Sequence, residues 1–483
     1  MAADRLAPPK PLQEVVPTTE NFDVVVIGGG PGGYAAALYG AAAGLSIAIV
    51  EKDKVGGTCL HRGCIPAKEL LETASRFRHV ADAGLYGVKV GAPELDFGVA
   101  IARKQLVVEG LFKGLAGLLK SRKITVFAGT GSLGPDHLVT IAGADGETTQ
   151  VTGTHVVLAS GSVPRTIPGF DVDGSVILTS DEVFELDHLP AKVAVIGGGA
   201  IGCEFASMLS DLGSEVTILE ALPQILPGVD KDVVQVVLRS FKGRKLDVRT
   251  GVKVEGHDPS AGGTTVRFGD GETLAVDAVI VSVGRKPLSS SLGLDATGVK
   301  VDERGFVAVD EYCRTGEDGV FAVGDLIATP GLAHVGFAEA ILVIKQILGE
   351  TAVPVDYGKV AWCIYCQPEV AFAGYSEAAA TEAGFDVVTS KHRWMGNSRA
   401  LIIDDTEGVV KVIAEKRADG TAGRVLGVHM AGPWVTEQLG QGYLAVNWEA
   451  TVDEIAHFIQ PHPSLSENFG ETVLSLTGRG LHG

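Results

Sequence analysis

Apolar positions fall along this chain in two arrangements, and their alternation predicts its elements. Residues 22–27, FDVVVI, are β-branched almost without a break, which predicts a strand buried on both faces, as in a parallel sheet. The run enters GGGPGG, then an Ala-rich stretch of helical character, YAAALYGAAAG, and then a second apolar run, LSIAIVE. That is a βαβ unit. The phrase returns 169 positions later, counted from Gly28 to Gly197: AKVAVI, GGGAIG, the helical CEFASMLSDLG, and SEVTILE. Solenoid repeats run about 20–50 residues, so these are two separate modules of dinucleotide type.

Between and after them, THVVLASGS, DAVIVSVGR and GVFAVGD each predict a strand ending in small residues and a turn. From about residue 357 the texture changes. Long strands, GVVKVIAE and GRVLGVHMAG, alternate with helical TEQLGQGYLAVNWEA, which predicts an α+β domain. The class is α/β, with two Rossmann-like domains and a C-terminal α+β domain.

Composition narrows the function more than the fold. At 483 residues the chain exceeds one compact core. A formal charge of -19 repels nucleic acid and anionic lipid, so neither is the expected partner. No apolar run reaches the roughly 18–20 residues that span a bilayer. The opening residues, 1–20, lack a charged start followed by an apolar core, so they read as a flexible lead and not as a secretory signal. Six cysteines in such a length do not make a disulfide scaffold, so a reducing, cytoplasmic setting is expected.

Gly28, Gly30 and Gly33 form one G-x-G-x-x-G, and Gly197, Gly199 and Gly202 a second. The first glycine allows the tight turn, the second lets a pyrophosphate approach the backbone, and the third lets helix and strand pack closely. Free N–H groups and the helix dipole then favour the anion. Glu51 and Glu220 each stand 18 positions after the last glycine, where a carboxylate meets a ribose hydroxyl. No Arg or Lys occurs in the ALPQILPG that follows Glu220, so the second site favours NAD over NADP.

The stretch GGTCLHRGC holds Cys59 and Cys64. They could be a structural disulfide, half a metal site or a redox pair. Five residues apart on a straight helix, their Cα atoms would lie about 8.6 Å and roughly 140° apart, and a disulfide needs roughly 4.4–6.8 Å. A bridge therefore requires an irregular helix, which Gly56, Gly57 and Gly63 would permit. A helix then follows through IPAKELLETASRFRHV, and its N-terminus would stabilise a Cys64 thiolate. His61 with Cys363 and Cys366 of CIYC offers a zinc alternative, but the flanking glycines and the nearby fingerprint fit redox work better, so no metal is expected. Two dinucleotide sites with such a pair imply a relay between a bound flavin and a nicotinamide.

GGTCLHRGCIPAK resembles the active-site motif of the flavin-dependent pyridine nucleotide–disulfide oxidoreductases. VGRKP, VFAVGD, LAH and HPSLSE follow in that family's order, and GCIP with HPSLSE is most similar to its dihydrolipoamide dehydrogenases. The resemblance implies a lead at 1–20, an FAD domain at 21–163, an NAD domain at 164–288, a central FAD-binding part at 289–356 and a dimerisation domain at 357–483. It further implies FAD and NAD as cofactors, a homodimer, and dihydrolipoamide or a lipoyl domain, as in 2-oxoacid dehydrogenase complexes, as substrate. Cys59 would meet the substrate and Cys64 the flavin, with Lys68 near the flavin and paired to Glu204. Gly57, Thr58, Gly131, Gly161, Asp325 and Ala333 would lie by FAD, with His334 nearby, and Glu204 and Gly284 by NAD. His462 would be the acid–base, because an imidazole can take up and return a proton at ordinary pH, and Glu467 would orient it. A capping box, with Ser464 as N-cap and Glu467 reaching back, is the alternative reading of SLSE.

His61 and Arg62 stand where the family often has Asn and Val, and AHVGFAEA lacks its usual Lys and Glu after the His. The departures leave a disulfide reductase for another small-molecule disulfide as the rival. A non-catalytic flavoprotein sensor is the rival from another class.

Overall fold

A computed structural model describes residues 20–482. The expected lead, 1–20, lies outside them save for Glu20. The first sheet has seven strands, in the order Thr125–Ala128, Ile47–Glu51, Glu20–Ile27, Thr148–Leu158, Leu138–Ala142, Thr130–Leu133, with Val320–Ala322 beside Thr148–Leu158. Glu20–Ile27 lies parallel to both its neighbours, in register Val26 to Ile49 and Val26 to Val157. Its inner residues, Val24, Val25 and Val26, are fully buried, which is why no alternation shows in the sequence.

A second, all-parallel sheet repeats the plan: Asp247–Thr250, Glu215–Glu220, Lys192–Ile196, Ala278–Val281, Ile177–Leu178. An antiparallel three-stranded sheet, Val254–Ser260, Gly263–Phe268 and Glu272–Val276, stands beside it. The chain leaves the first sheet along Ser162–Pro164 and returns along Arg285–Pro287, and these two strands pair antiparallel. The C-terminal sheet is antiparallel throughout, in the order Trp362–Ile364, Glu369–Gly374, Ala422–Gly432, Val409–Lys416, Val387–Arg393.

Two joints hold these parts in one position. The helix Cys64–Ala81 packs Leu70 and Ala74 into the same buried cluster as Phe205 and Met208 of the helix Ala200–Leu212, together with Ile364 and Phe372 of the C-terminal sheet. Each such large side chain stabilises the joint by about 1.5–3 kcal/mol. The second joint is ionic. Lys411, fully buried in the C-terminal sheet, reaches Asp230 at 3.0 Å and Asp232 at 2.7 Å, both at the start of the helix Lys231–Gly243, and its own domain's Glu377 at 2.6 Å. Among the described residues no helix is long and apolar enough to cross a membrane.

Candidate active site

Both glycine fingerprints are built alike. Gly28 and Gly197 hold φ of 109° and 105°, a conformation that favours glycine. A Cβ on Gly28 would stand 2.2 Å from Ala159 O, and one on Gly197 2.5 Å from Ser282 O. Gly33 and Gly202 face back onto these turns, where a Cβ would stand 1.8 Å and 1.9 Å from the carbonyl oxygens of Gly28 and Gly197. They are packing glycines and do not line the cleft. Gly30 and Gly199 do line it, at the N-caps of Pro31–Ala42 and Ala200–Leu212.

Glu51 and Glu220 repeat one device. Glu51 accepts the Gly29 N–H at 2.7 Å and the Asp53 N–H at 2.9 Å. Glu220 accepts the Gly198 N–H at 2.6 Å and the Leu222 N–H at 2.7 Å. Each carboxylate therefore ties the end of the second strand to the middle of its glycine turn. The sequence pointed to the ribose position and gave no sign of this bracing, because the middle glycine carries no side chain to mark it.

The cysteine helix is pressed against the first fingerprint. Gly56 donates its N–H to Gly29 O at 2.7 Å, and a Cβ on Gly57 would lie 2.7 Å from Gly30 Cα. A short helix, Gly57–Arg62, carries Cys59. It breaks at Gly63, with φ -146° and ψ -111°, and Cys64 opens the long helix Cys64–Ala81. The irregularity that a Cys59–Cys64 bridge requires is this break. Both cysteines are thiols here, half-buried and hydrogen-bonded to each other. The hydrogen bond from Cys59, with the positive charge of Lys68, lowers Cys64 to about 7. The same hydrogen bond and burial push Cys59 well up. Tyr34 lies close enough that burial, and then negative charge on the two cysteine sulfurs, raise its phenol to about 12.

Lys68 donates to both oxygens of Glu204 at 2.9 Å, and Glu204 is nearly buried. This pair ties the cysteine helix to the second module. Asp325 accepts from Ser162 Oγ at 2.5 Å and faces Arg285 at 3.6 Å, and Arg285 binds Ser162 through Nε at 2.7 Å. A continuous cleft of about 2140 Å³ runs past all of these groups, from Gly28, Glu51, Gly57, Thr58, Gly161, Asp325 and Ala333, through Cys59, Cys64 and Lys68, to Glu204, Glu220 and Gly284. A Cβ on Gly161, Gly199 or Gly284 would meet nothing within 4 Å, so the missing side chains leave open room against the backbone. Those cradles and the two helix N-caps fit the pyrophosphates of two dinucleotides.

The structure adds contacts at several of the positions singled out in the sequence. Gly131 is buried on the terminal strand Thr130–Leu133, where a Cβ would sit 3.0 Å from Ile27 and Val50 side chains. His334 sits beside Ala333, but its Nε2 lies 2.8 Å from Ala361 O, so it links the central part to the C-terminal domain. His61 is 3.0 Å from Val55 O and meets Phe112 edge-on. Among the described residues no three His, Cys, Asp or Glu form a metal-binding group. Arg62 is taken up by Asp53 at 2.6 Å, and Lys68 is the cation acting on the thiols.

His462 and Glu467 meet as a pair, Nδ1 to Oε1 at 2.8 Å, but outside the cleft, with His462 71% exposed. The capping box is only half made. Glu467 Oε2 accepts the Ser464 N–H at 2.7 Å, whereas Ser464 Oγ lies 2.9 Å from Ser466 Oγ and the helix starts at Glu467. One carboxylate thus does both jobs. Against some burial, the Ser464 N–H and His462 hold it below the usual carboxylate range.

The pyridine nucleotide-disulphide oxidoreductase family matches residues 22–340, and its dimerisation domain matches 360–473. The chain belongs to this family. It is similar to the dihydrolipoyl dehydrogenase of Bacillus subtilis, 38% identical over 475 residues, covering 96% of this chain and 99% of that one. It is 36% identical to that of Chlamydia pneumoniae, over 96% of this chain and 99% of the relative. Among solved structures it superposes on LpdA of Mycobacterium tuberculosis with a TM-score of 0.88 and 26% identity, covering 95% of this chain and 100% of that one. The HOCl-induced flavoprotein disulfide reductase RclA of Escherichia coli gives 0.84 and 27%, over 94% and 99%. Within the family the chain is of the FAD-dependent, NAD-linked dihydrolipoyl dehydrogenase type and carries a dimerisation domain.

Proposed function

We propose that this chain oxidises dihydrolipoamide to lipoamide, with Cys59 and Cys64 as the redox pair. The observation that carries the proposal is the Cys59–Cys64 dithiol on the wall of one cleft, with a low Cys64 held by Cys59 and Lys68. In the forward direction the pair starts as a disulfide. A substrate thiolate attacks Cys59 Sγ, the Cys59–Cys64 bond breaks, and Cys64 leaves as the thiolate, the better leaving group because its pKa is lower. The second substrate thiol, deprotonated, attacks its own mixed-disulfide sulfur and expels Cys59, which takes up a proton. The products are lipoamide and the reduced pair, a Cys59 thiol beside a Cys64 thiolate.

His462 would take the substrate's proton, with Glu467 fixing its ring through Nδ1 and leaving Nε2 to exchange. His462 is exposed and lies off its own chain's cleft, and Trp448, Phe458 and Ile459 are 76%, 63% and 98% exposed. A second copy that covers these residues and brings His462 to Cys59 accounts for both facts, so the working form is read as a homodimer. Glycines 28, 30, 57 and 161, with Thr58, Glu51, Asp325 and Ala333, would hold FAD. Glycines 197, 199 and 284, with Glu204 and Glu220, would hold NAD. The chemistry that bound FAD and NAD supply is acceptance of the electron pair from the dithiol and its removal. Six cysteines in 483 residues, too few for a disulfide scaffold, support a reducing, cytoplasmic setting.

The test is NAD reduction by dihydrolipoamide with purified, FAD-loaded protein, set beside reduction of glutathione disulfide by NADPH. Turnover with the first pair and loss of it in Cys59→Ser is the expected result. Full activity of Cys59→Ser, or preference for glutathione disulfide, refutes the reading.

A further inference from the structure

The C-terminal domain reaches into the redox centre of its own chain. The strand Trp362–Ile364 places Trp362 and Cys363 on the cleft wall, and the next residue, Tyr365, folds against Lys68. The Lys68 ammonium lies 4.7 Å from the centroid of the Tyr365 ring. The Tyr365 backbone N–H donates to Glu204 Oε1 at 2.9 Å, the same oxygen that Lys68 holds at 2.9 Å. Tyr365 thus touches both halves of the Lys68–Glu204 pair, the ring on the cation and the amide on the carboxylate.

Geometry gives this contact a consequence. Lys68 retains 34% side-chain exposure and swings on a four-carbon stem, so the ion pair alone leaves it room to move. A ring face below the ammonium favours the cation and removes one direction of escape. The Lys68 charge acts directly on Cys64, so whatever fixes Lys68 acts on the thiolate. The phenol takes no part in this: burial and nearby acidic groups keep it protonated, up at about 12.

We infer that Tyr365 is a positioning residue whose aromatic face holds Lys68 where it supports the Cys64 thiolate, so that the seating of the dimerisation domain is felt at the redox pair. The inference rests on the reading of Cys64 as the low-pKa thiol of a redox pair, and one experiment separates the two. The fully reduced, FAD-loaded protein is alkylated with iodoacetamide across a pH series and digested with trypsin. Cleavage after Arg62 puts Cys59 and Cys64 on separate peptides, so each thiol has its own profile. In the wild type the Cys64 midpoint is expected near neutrality and well below that of Cys59; a reversed order overturns the reading itself. In Tyr365→Leu, which keeps the backbone N–H and loses the ring, the Cys64 midpoint is expected to rise by about half a pH unit or more, the size of a partly exposed cation–π contact. In Tyr365→Phe, which keeps the ring, it is expected to stay at the wild-type value. A wild-type order as stated with no rise in Tyr365→Leu overturns the inference and leaves the reading intact. A rise in Tyr365→Phe equal to that in Tyr365→Leu also overturns it, because the hydroxyl and not the ring face would then be at work.

Discussion

Replacing Lys68 with Met removes the cation from the redox pair and keeps most of the stem's packing. Cys64 sits at about 7, so at pH 7 about half of it is thiolate. An opposite charge within a few ångströms moves a pKa by roughly one to three units. The Cys59 hydrogen bond, the largest contribution, survives the substitution. Taking the low end, the midpoint rises by about one unit, and the thiolate fraction at pH 7 falls to about one tenth, roughly a fivefold loss in Cys64 alkylation rate. The direction follows from the sign: Lys68 favours the charged thiolate, so its loss favours the neutral thiol. The substitution also exposes Cys64 to Glu204, whose negative charge raises it. Adding Glu204→Gln should therefore bring the midpoint part of the way back. Peptide-resolved alkylation against pH measures both. A Lys68→Met profile that overlays the wild type, or a double variant shifted further up than the single, refutes the account of Cys64.

The third glycines and the interdomain joint give two further tests. Gly202→Ala puts a Cβ 1.9 Å from Gly197 O, a backbone atom that cannot yield without moving the turn; NADH binding, titrated by fluorescence, should be lost while bound FAD absorbance remains, and unchanged NADH affinity would contradict the packing role. Lys411→Met strips the cation from buried Asp230 and should destabilise the protein by about 3–5 kcal/mol, seen as a lower melting temperature that Asp230→Asn partly restores. Against burial, the Asp232 N–H and Lys411 hold Asp230 below the usual carboxylate range, and Lys411 and Lys391 do the same for Asp232. Depressed carboxylates contribute stability that is present above about pH 4 and lost as pH falls through their folded values, so the wild type should lose its advantage over Lys411→Met below about pH 4; a gap constant to pH 2 would contradict this.

The local chemistry was legible in the sequence because it resides in short segments. A β-branched run, three glycines and a carboxylate 18 residues on must lie together in any βαβ unit, so both fingerprints could be read without a fold. The same holds for Cys59 and Cys64, where Gly63 sits between them and supplies the break. Gly131 shows the limit. A glycine in a strand gives no sign of what fills the place of its missing side chain, and here Ile27 and Val50 side chains fill it. Arg62 shows it again, since its position beside Cys64 in sequence said nothing of its turn toward Asp53.

What the chain by itself determined is therefore the set of parts: two dinucleotide modules, a cysteine pair at a helix start, and a histidine–carboxylate tail. Each depends on backbone conformation or hydrogen bonds within about a turn or one βαβ crossover. What only the tertiary structure decided is how those parts act on one another. Lys68 and Glu204 are 136 residues apart, and Tyr365 lies 161 residues beyond Glu204. Their meeting depends on the packing of the cysteine helix, the second module and the C-terminal sheet against a common core. Charge and ring faces act over a few ångströms, so the state of Cys64 is set by which surfaces that packing brings together.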